Sequence, residues 1–282
     1  MARELPFAER NLRRARVYSG RLIRAASPAA RVPRVIFFHM PKCGGTSLSE
    51  ALYATVPLSE RIGVLDARST RRAAAMMAAC RDDPWLCHED LGRGAEVFAL
   101  REALALQHIA WDSALIHGHL LCSDRLEAFA HQRYGFVTLL RDPVERMVSN
   151  YLMARRAGIA PEDPDAYLDS PLARHHAQVY LRYFSGLAEP GEVPQAPRLA
   201  AERLARFDLI GFLDDLDGFA AAYRARFGPA LRIHSYNRAP SGDSPFSASQ
   251  MARASELCAE DVALFEAARA VAEAIAPARE AG

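Results

Sequence analysis

Lysine is almost missing from this chain: of its 35 Lys and Arg residues, 34 are arginine and one is lysine, Lys42. Other things are scarce as well. Charge of one sign is not in excess, because the formal net charge is +1 over 282 residues, and this excludes a nucleic-acid binder that works by overall basicity as well as an acidic tail protein. Any anion must be held locally. No run approaches the roughly eighteen apolar residues of a membrane helix, and the opening residues MARELPFAER are charged where a secretion signal needs an apolar core. The expectation is a cytoplasmic chain without a membrane span. The 5 cysteines, Cys43, Cys80, Cys87, Cys122 and Cys258, are odd in number and include no C-x-x-C pair, which argues against a disulfide framework or a zinc site.

What is present suits a packed core, since 50% of the residues are hydrophobic and 24% charged. Residues 1–34 carry 9 arginines against Glu4 and Glu9, so residues 1–33 read as a basic N-terminal arm. Its simplest form is a solvated surface helix; a basic arm can also bind nucleic acid or, as peripheral contact, membrane headgroups. The strand-like run 34–40 then leads into the glycine-rich loop PKCGGTS at 41–47 and into LSEALY at 48–53, which has helical spacing. Further helices are expected near 69–80 and 95–109, at 123–131 with Ser123 as N-cap, through 156, over 172–184, 214–227 and within 259–276. Strands are expected at 113–119, 135–140, 207–212 and 231–234. Alternating strands and helices predict an α/β fold: a single P-loop-like domain over 34–282 with a mainly parallel sheet flanked by helices, and ligands at the carboxyl ends of its strands.

Three of those strand ends hold the polar residues of interest. In the first loop, Gly44 and Gly45 allow close approach to an anion, the amides from Cys43 to Ser47 open toward it, and Thr46 and Ser47 add hydroxyls. Lys42 adds a compact charge where a guanidinium fork would be too large. The loop is not the triphosphate form G-x-x-x-x-G-K-[ST], because its lysine precedes the glycines. Nor is it a C-x5-R phosphatase loop, since Ser49 stands where arginine would close it, so Cys43 contributes an amide and no nucleophile. At the end of 135–140, Arg141 precedes a helix that Asp142 can cap and Pro143 can open. Arg141 with Ser149, two turns on, could grip a second phosphate. His117 and His119 alternate along a strand and face one side. A histidine titrating near neutrality suits a general base, here His119 with His117 as its partner. No carboxylate sits at metal-ligand spacing beside them, so no metal is expected.

Together these elements resemble the sulfotransferases that use 3′-phosphoadenosine 5′-phosphosulfate (PAPS), and most of all their carbohydrate branch with the uronyl/heparan 2-O-sulfotransferases. HMPKCGGTS at 39–47 is similar to the family's H-x-P-K-x-G-G-T-S, and RDPVERMVSNY at 141–151 to its R-D-P-x-x-R-x-x-S-x-Y. HGH at 117–119 looks like a segment of the 2-O-sulfotransferases, while RYFSG at 182–186 and FDLIG at 207–211 are softer matches; the likeness runs over about residues 34–272. It implies a transferase that takes PAPS as co-substrate, needs no metal, and moves the sulfuryl group to a hydroxyl acceptor, a sugar or glycoconjugate. Lys42 would stabilise the leaving phosphate, the loop from Cys43 through Gly44, Gly45, Thr46 and Ser47 would wrap the 5′-phosphate, and Arg141 with Ser149 would bind the 3′-phosphate. Cys43 departs from the family's usual threonine, and the anchor and stem of its Golgi members are not expected here. The alternatives are a P-loop-type kinase, which should need a magnesium-binding carboxylate, and a non-catalytic nucleotide- or glycan-binding protein, against which the HGH segment speaks.

Overall fold

Short apolar runs rich in β-branched and aromatic residues, each followed by at least one helix, form one sheet. The computed structural model describes residues 7–26, 32–234 and 244–275, except for the side chains of Thr46 and Glu192. Among these residues the strands are β1 (Val35–Phe38), β2 (Ile62–Leu65), β3 (Leu115–Gly118), β4 (Gly135–Leu140) and β5 (Leu209–Phe212), all parallel, in the order β2-β3-β1-β4-β5. The protein is therefore α/β, as expected. Helix α1 (Phe7–Ala25) precedes the sheet, α2 (Gly45–Thr55) follows β1, α3 (Ala67–Ala79) and α4 (Gly94–Ala110) follow β2, and α5 (Asp124–Ala130) follows β3. After β4 come α6 (Pro143–Arg156), α7 (Pro164–Leu168), α8 (Pro171–Ala177), α9 (Val179–Ser185) and α10 (Ala196–Leu204); α11 (Leu216–Phe227), α12 (Ala248–Leu257) and α13 (Ala259–Ile275) follow β5. No helix among the described residues is long and apolar enough to cross a membrane.

The period of two in β1 sorts its side chains into two cores. Val35 and Phe37 pack with Leu48 and Leu52 of α2 and with Phe219 and Tyr223 of α11, whereas Ile36 and Phe38 meet Phe98, Leu126, Phe184 and Leu264 on the other face. Both faces are covered, which is why the central strands are apolar throughout. From β1 the chain winds outward to β2 and back to β3, then crosses to β4 on the opposite side of β1. In open parallel sheets ligands bind where the strand order reverses in this way, here at the carboxyl end of β1.

Three expectations are corrected. Residues 231–234 form no strand: Leu231 packs into the core beside α11, but the run pairs with no neighbour. The fifth strand is β2 instead, a four-residue run that Gly63 disguises; a Cβ at Gly63 would come within 2.5 Å of His108. The helix expected over 172–184 is broken at Gln178 into α8 and α9. The break has a visible cause. Asp261 of α13, fully buried, accepts the amides of Tyr180 and Leu181 at 2.8 Å each and so serves as an N-terminal carboxylate for α9 from a distant part of the chain. Its Oδ2 also accepts from Arg146 of α6 at 2.9 Å, and the Arg146 guanidinium lies 4.9 Å from the Tyr180 ring centre. The caps foreseen at Ser123 and Asp142 are present, each side chain accepting the amide three residues on.

An uncompensated buried charge is far more costly than a buried pair. Asp261→Asn leaves Arg146 unpaired and offers one acceptor oxygen where two are used, so unfolding in urea should show a loss of about 3 to 5 kcal/mol. A midpoint unchanged from the parent would remove Asp261 from this role.

Candidate active site

At the carboxyl end of β1 the chain turns through two left-handed residues, Lys42 with φ 63° and Gly44 with φ 71°. Glycine tolerates this region; lysine adopts it at a cost of about 1–2 kcal/mol, and strain of this kind concentrates where backbone must meet a ligand. Gly44 stands at the N-cap of α2 and offers no side-chain cap, whereas α3, α5, α6, α8 and α12 each have an Asp or Ser that caps the first turn. The first amides of α2, with the positive end of its dipole, are thus left for a partner outside the helix. Gly45 is needed for a second reason: a Cβ there would fall 1.9 Å from His39 Nε2. Ser47 is half-buried in the same turn, and the side chain of Thr46 lies outside the described residues.

Lys42 Nζ lies 3.7 Å from the thioether of Met153, a weak acceptor. Burial, and then the nearby guanidinium groups of Arg141 and Arg156, lower its pKa. Lys42 thus shares one positive neighbourhood with Arg141 and Arg156. Arg141 reaches it from the end of β4, where its side chain pairs with Glu145 at 3.1 Å. On α6, Glu145, Ser149, Met153 and Arg156 share one face by helical spacing. Half-buried Ser149 thus sits between the partner of Arg141 and the residue that touches Lys42. The sequence reading had Arg141 and Ser149 but missed Arg156 and Met153, which an i, i+4, i+7 count from Ser149 could have found.

The two loops are joined by a hydroxyl. Tyr180 Oη donates to the Arg141 carbonyl at 2.5 Å, accepts from the Arg141 amide at 2.9 Å, and lies 3.3 Å from Cys43 Sγ. Cys43 is buried, which pushes its thiol pKa up and disfavours the thiolate that a nucleophile needs.

On the other side of β1 the structure brings His117 and His119 together around His39. The His39 ring stacks on both, with centroids 5.1 Å and 4.6 Å away. His117 is held at both nitrogens: Tyr53 Oη meets Nδ1 at 2.7 Å and Ser49 Oγ meets Nε2 at 2.8 Å, with His39 Nδ1 at 3.1 Å. Since Ser49 Oγ donates to the Gly45 carbonyl at 2.5 Å, it accepts from His117 Nε2, and Nδ1 then accepts from Tyr53. His119 differs. Its Nδ1 donates to the His39 carbonyl at 2.8 Å, and Nε2, with no hydrogen-bond partner among the described residues, keeps its lone pair. Behind it, buried Arg101 donates to the His119 carbonyl at 3.3 Å and pairs with Glu89 at 2.5 Å. Burial would raise the Glu89 carboxyl, but Arg101 and Arg71 overcome it and hold the pKa at about 2. Ser49 and Tyr53 follow Gly45 at four-residue steps, a legible signal; nothing in the sequence pointed to Glu89 or Arg101.

The near-neutral titration expected of His119 is corrected. Burial and then Arg101 bring its pKa down to about 4; burial and then His119 bring His117 to about 3. His39 is lowered by burial and by both its neighbours. All three are neutral imidazoles at physiological pH. Among the described residues there is no cluster of three or more His, Cys, Asp or Glu that could hold a metal ion.

No protein-family model matches the chain, and no curated protein matches it either.

Because the folded chain binds these protons more weakly than the unfolded one, stability should be complete above the ordinary histidine value near 6.5 and fall as pH drops toward 4. Each histidine contributes up to about 1.4 kcal/mol per pH unit. Histidine NMR titration should find the three rings neutral at pH 5; a ring that protonates at pH 6 to 7 would contradict the burial argument.

Proposed function

We propose that the protein is a PAPS-dependent sulfotransferase that moves a sulfuryl group to the hydroxyl of a sugar or glycoconjugate. The observation that carries this reading is the convergence of Lys42, Arg141 and Arg156 beside the uncapped first turn of α2, with a neutral His119 across β1. Positive charge gathered in this way favours anions, and among the described residues only the exposed Glu145 already meets it, at Arg141, so the arrangement suits a ligand with more than one anionic group. Two phosphates suit it better than one, because the helix terminus and the Arg141 corner stand at the ends of adjacent strands, about 4.8 Å apart in the sheet.

The residues divide the work by charge. When bound, PAPS supplies the activated sulfuryl group. His119 Nε2 takes the proton of the acceptor hydroxyl as its oxygen forms the new bond to sulfur; Nδ1, fixed on the His39 carbonyl, keeps the ring in the tautomer that can do so. Lys42 meets the negative charge left on the phosphate oxygen when the old sulfur–oxygen bond breaks, an interaction stronger at that moment than before it. His117, engaged at both nitrogens, positions Tyr53, Ser49 and the His39 ring. Transfer rather than binding alone is supported by the free lone pair of His119, which a passive binder has no use for.

Calorimetry with 3′-phosphoadenosine 5′-phosphate and with adenosine 5′-phosphate tests the two-anion site. The former should bind at least tenfold more tightly, the equivalent of about 1.4 kcal/mol; equal affinities would overturn the reading. Mass spectrometry of candidate glycans after incubation with labelled PAPS tests transfer itself.

His119→Ala should lower turnover by roughly 100- to 10,000-fold while nucleotide affinity stays close to the parent's. In the parent, kcat/KM should be flat through neutrality and fall only as the pH approaches the folded value near 4, where Nε2 becomes protonated. A variant that keeps its rate would move the base elsewhere.

A further inference from the structure

Helix α1 is mounted inside out. Its packed side holds Arg13, buried and paired with Glu50 at 2.7 Å, half-buried Val17, and Gly20, where a Cβ would come within 2.7 Å of the Ala54 Cβ. Arg21 donates from the same region to the carbonyls of Val56, Pro57 and Glu60 at 3.1, 3.1 and 2.9 Å. The large apolar side chains point the other way: Phe7, Leu12, Tyr18, Leu22 and Ile23 are 52–71% exposed. At about 100° per residue these five occupy one arc of roughly 160°, opposite the packed face. Exposed Arg10 and Arg14 border one edge of the arc and exposed Arg16 the other. A helix held by its polar side, with its apolar side in water, is ordered by the protein for something that is not the protein's own core.

Charge decides what that is. Six arginines and Glu9 give α1 a formal +5, while the whole chain carries +1, so the remainder is net −4. Basicity is concentrated on this one helix. A second copy meeting it face to face would set +5 against +5, and nucleic acid would leave the apolar arc uncovered. An anionic bilayer satisfies both features, since apolar side chains enter the boundary between headgroups and acyl chains and arginines on the margins meet lipid phosphates. We propose that α1 is an interfacial helix that docks the protein on anionic membrane surfaces. The contacts of Arg13 with Glu50, Gly20 with Ala54 and Arg21 with Val56 run in the same direction along both helices. The Phe7 end of α1 therefore lies toward the glycine-loop end of α2, and a docked protein holds α2 directly behind the membrane-facing helix.

Sedimentation of the full chain with vesicles tests this without reference to any activity. The parent should pellet with vesicles of phosphatidylcholine mixed with phosphatidylglycerol, remain in solution with phosphatidylcholine alone, and be released by salt. Leu22→Ser/Ile23→Ser and, separately, Arg10→Glu/Arg14→Glu should each weaken binding by at least about tenfold with an unchanged Tm, because these side chains are exposed. A parent that ignores anionic vesicles, or paired variants that bind as the parent does, would overturn the proposal. So would a concentration-dependent dimer in sedimentation velocity that Leu22→Ser/Ile23→Ser abolishes, since the face would then belong to a second copy.

Discussion

The arrangement depends on one buried carboxylate. Asp261 holds Arg146 of α6 and both leading amides of α9, and by starting α9 there it places Tyr180 where its hydroxyl can bracket the backbone of Arg141 and touch Cys43. One anion in the interior thus sets the relation between the loop after β1 and the corner after β4. The ion pair need add little net stability. Its value lies in specificity, because no apolar side chain could make the same directed contacts with a guanidinium and two amides.

Around that frame the site separates two kinds of basic group. On the β4 side, Lys42, Arg141 and Arg156 are cations kept near one another, with Lys42 losing pKa to burial and to both arginines. On the β3 side, burial and Arg101 keep His119 neutral. Opposite protonation states on the two sides of one strand suit a reaction in which charge leaves on one side and a proton is taken on the other, which is the division of labour the proposed sulfuryl transfer requires. The low pKa of His119 makes it a weaker base than an unperturbed imidazole, yet one that is always in its proton-accepting form. Phosphate charge entering beside it would raise that value, so the co-substrate itself would strengthen the base.

The arm is likewise part of the same construction. α1 lies along α2, the helix whose first turn lines the proposed anion site, and it is fixed there by Arg13, Gly20 and Arg21. Its exposed apolar arc and its share of the positive charge are therefore held rigidly with respect to the site.

Local chemistry was legible in the sequence. The β1 run, the glycine loop with its single lysine, the Asp142 and Ser123 caps, and the alternation of strands and helices follow from side-chain period, backbone preference and capping, all of which act within a few residues. So did the α/β class and the gathering of His117, His119, Lys42 and Arg141 at the carboxyl ends of strands. Tertiary structure decided what depends on partners far away in the chain. It chose β2 over 231–234, because a strand needs a neighbour and not only an apolar run; it broke the helix at Gln178, because Asp261 offered acceptors to amides 81 and 80 positions away. It brought Arg156, Arg101 and Glu89 to the site, and it set the charge of His119, since a pKa is fixed by burial and neighbouring charge rather than by residue type. It also turned α1 with Arg13 and Arg21 inward and its large apolar side chains outward, which no helical wheel could announce, because a wheel shows that a helix has two faces and only packing determines which of them meets water.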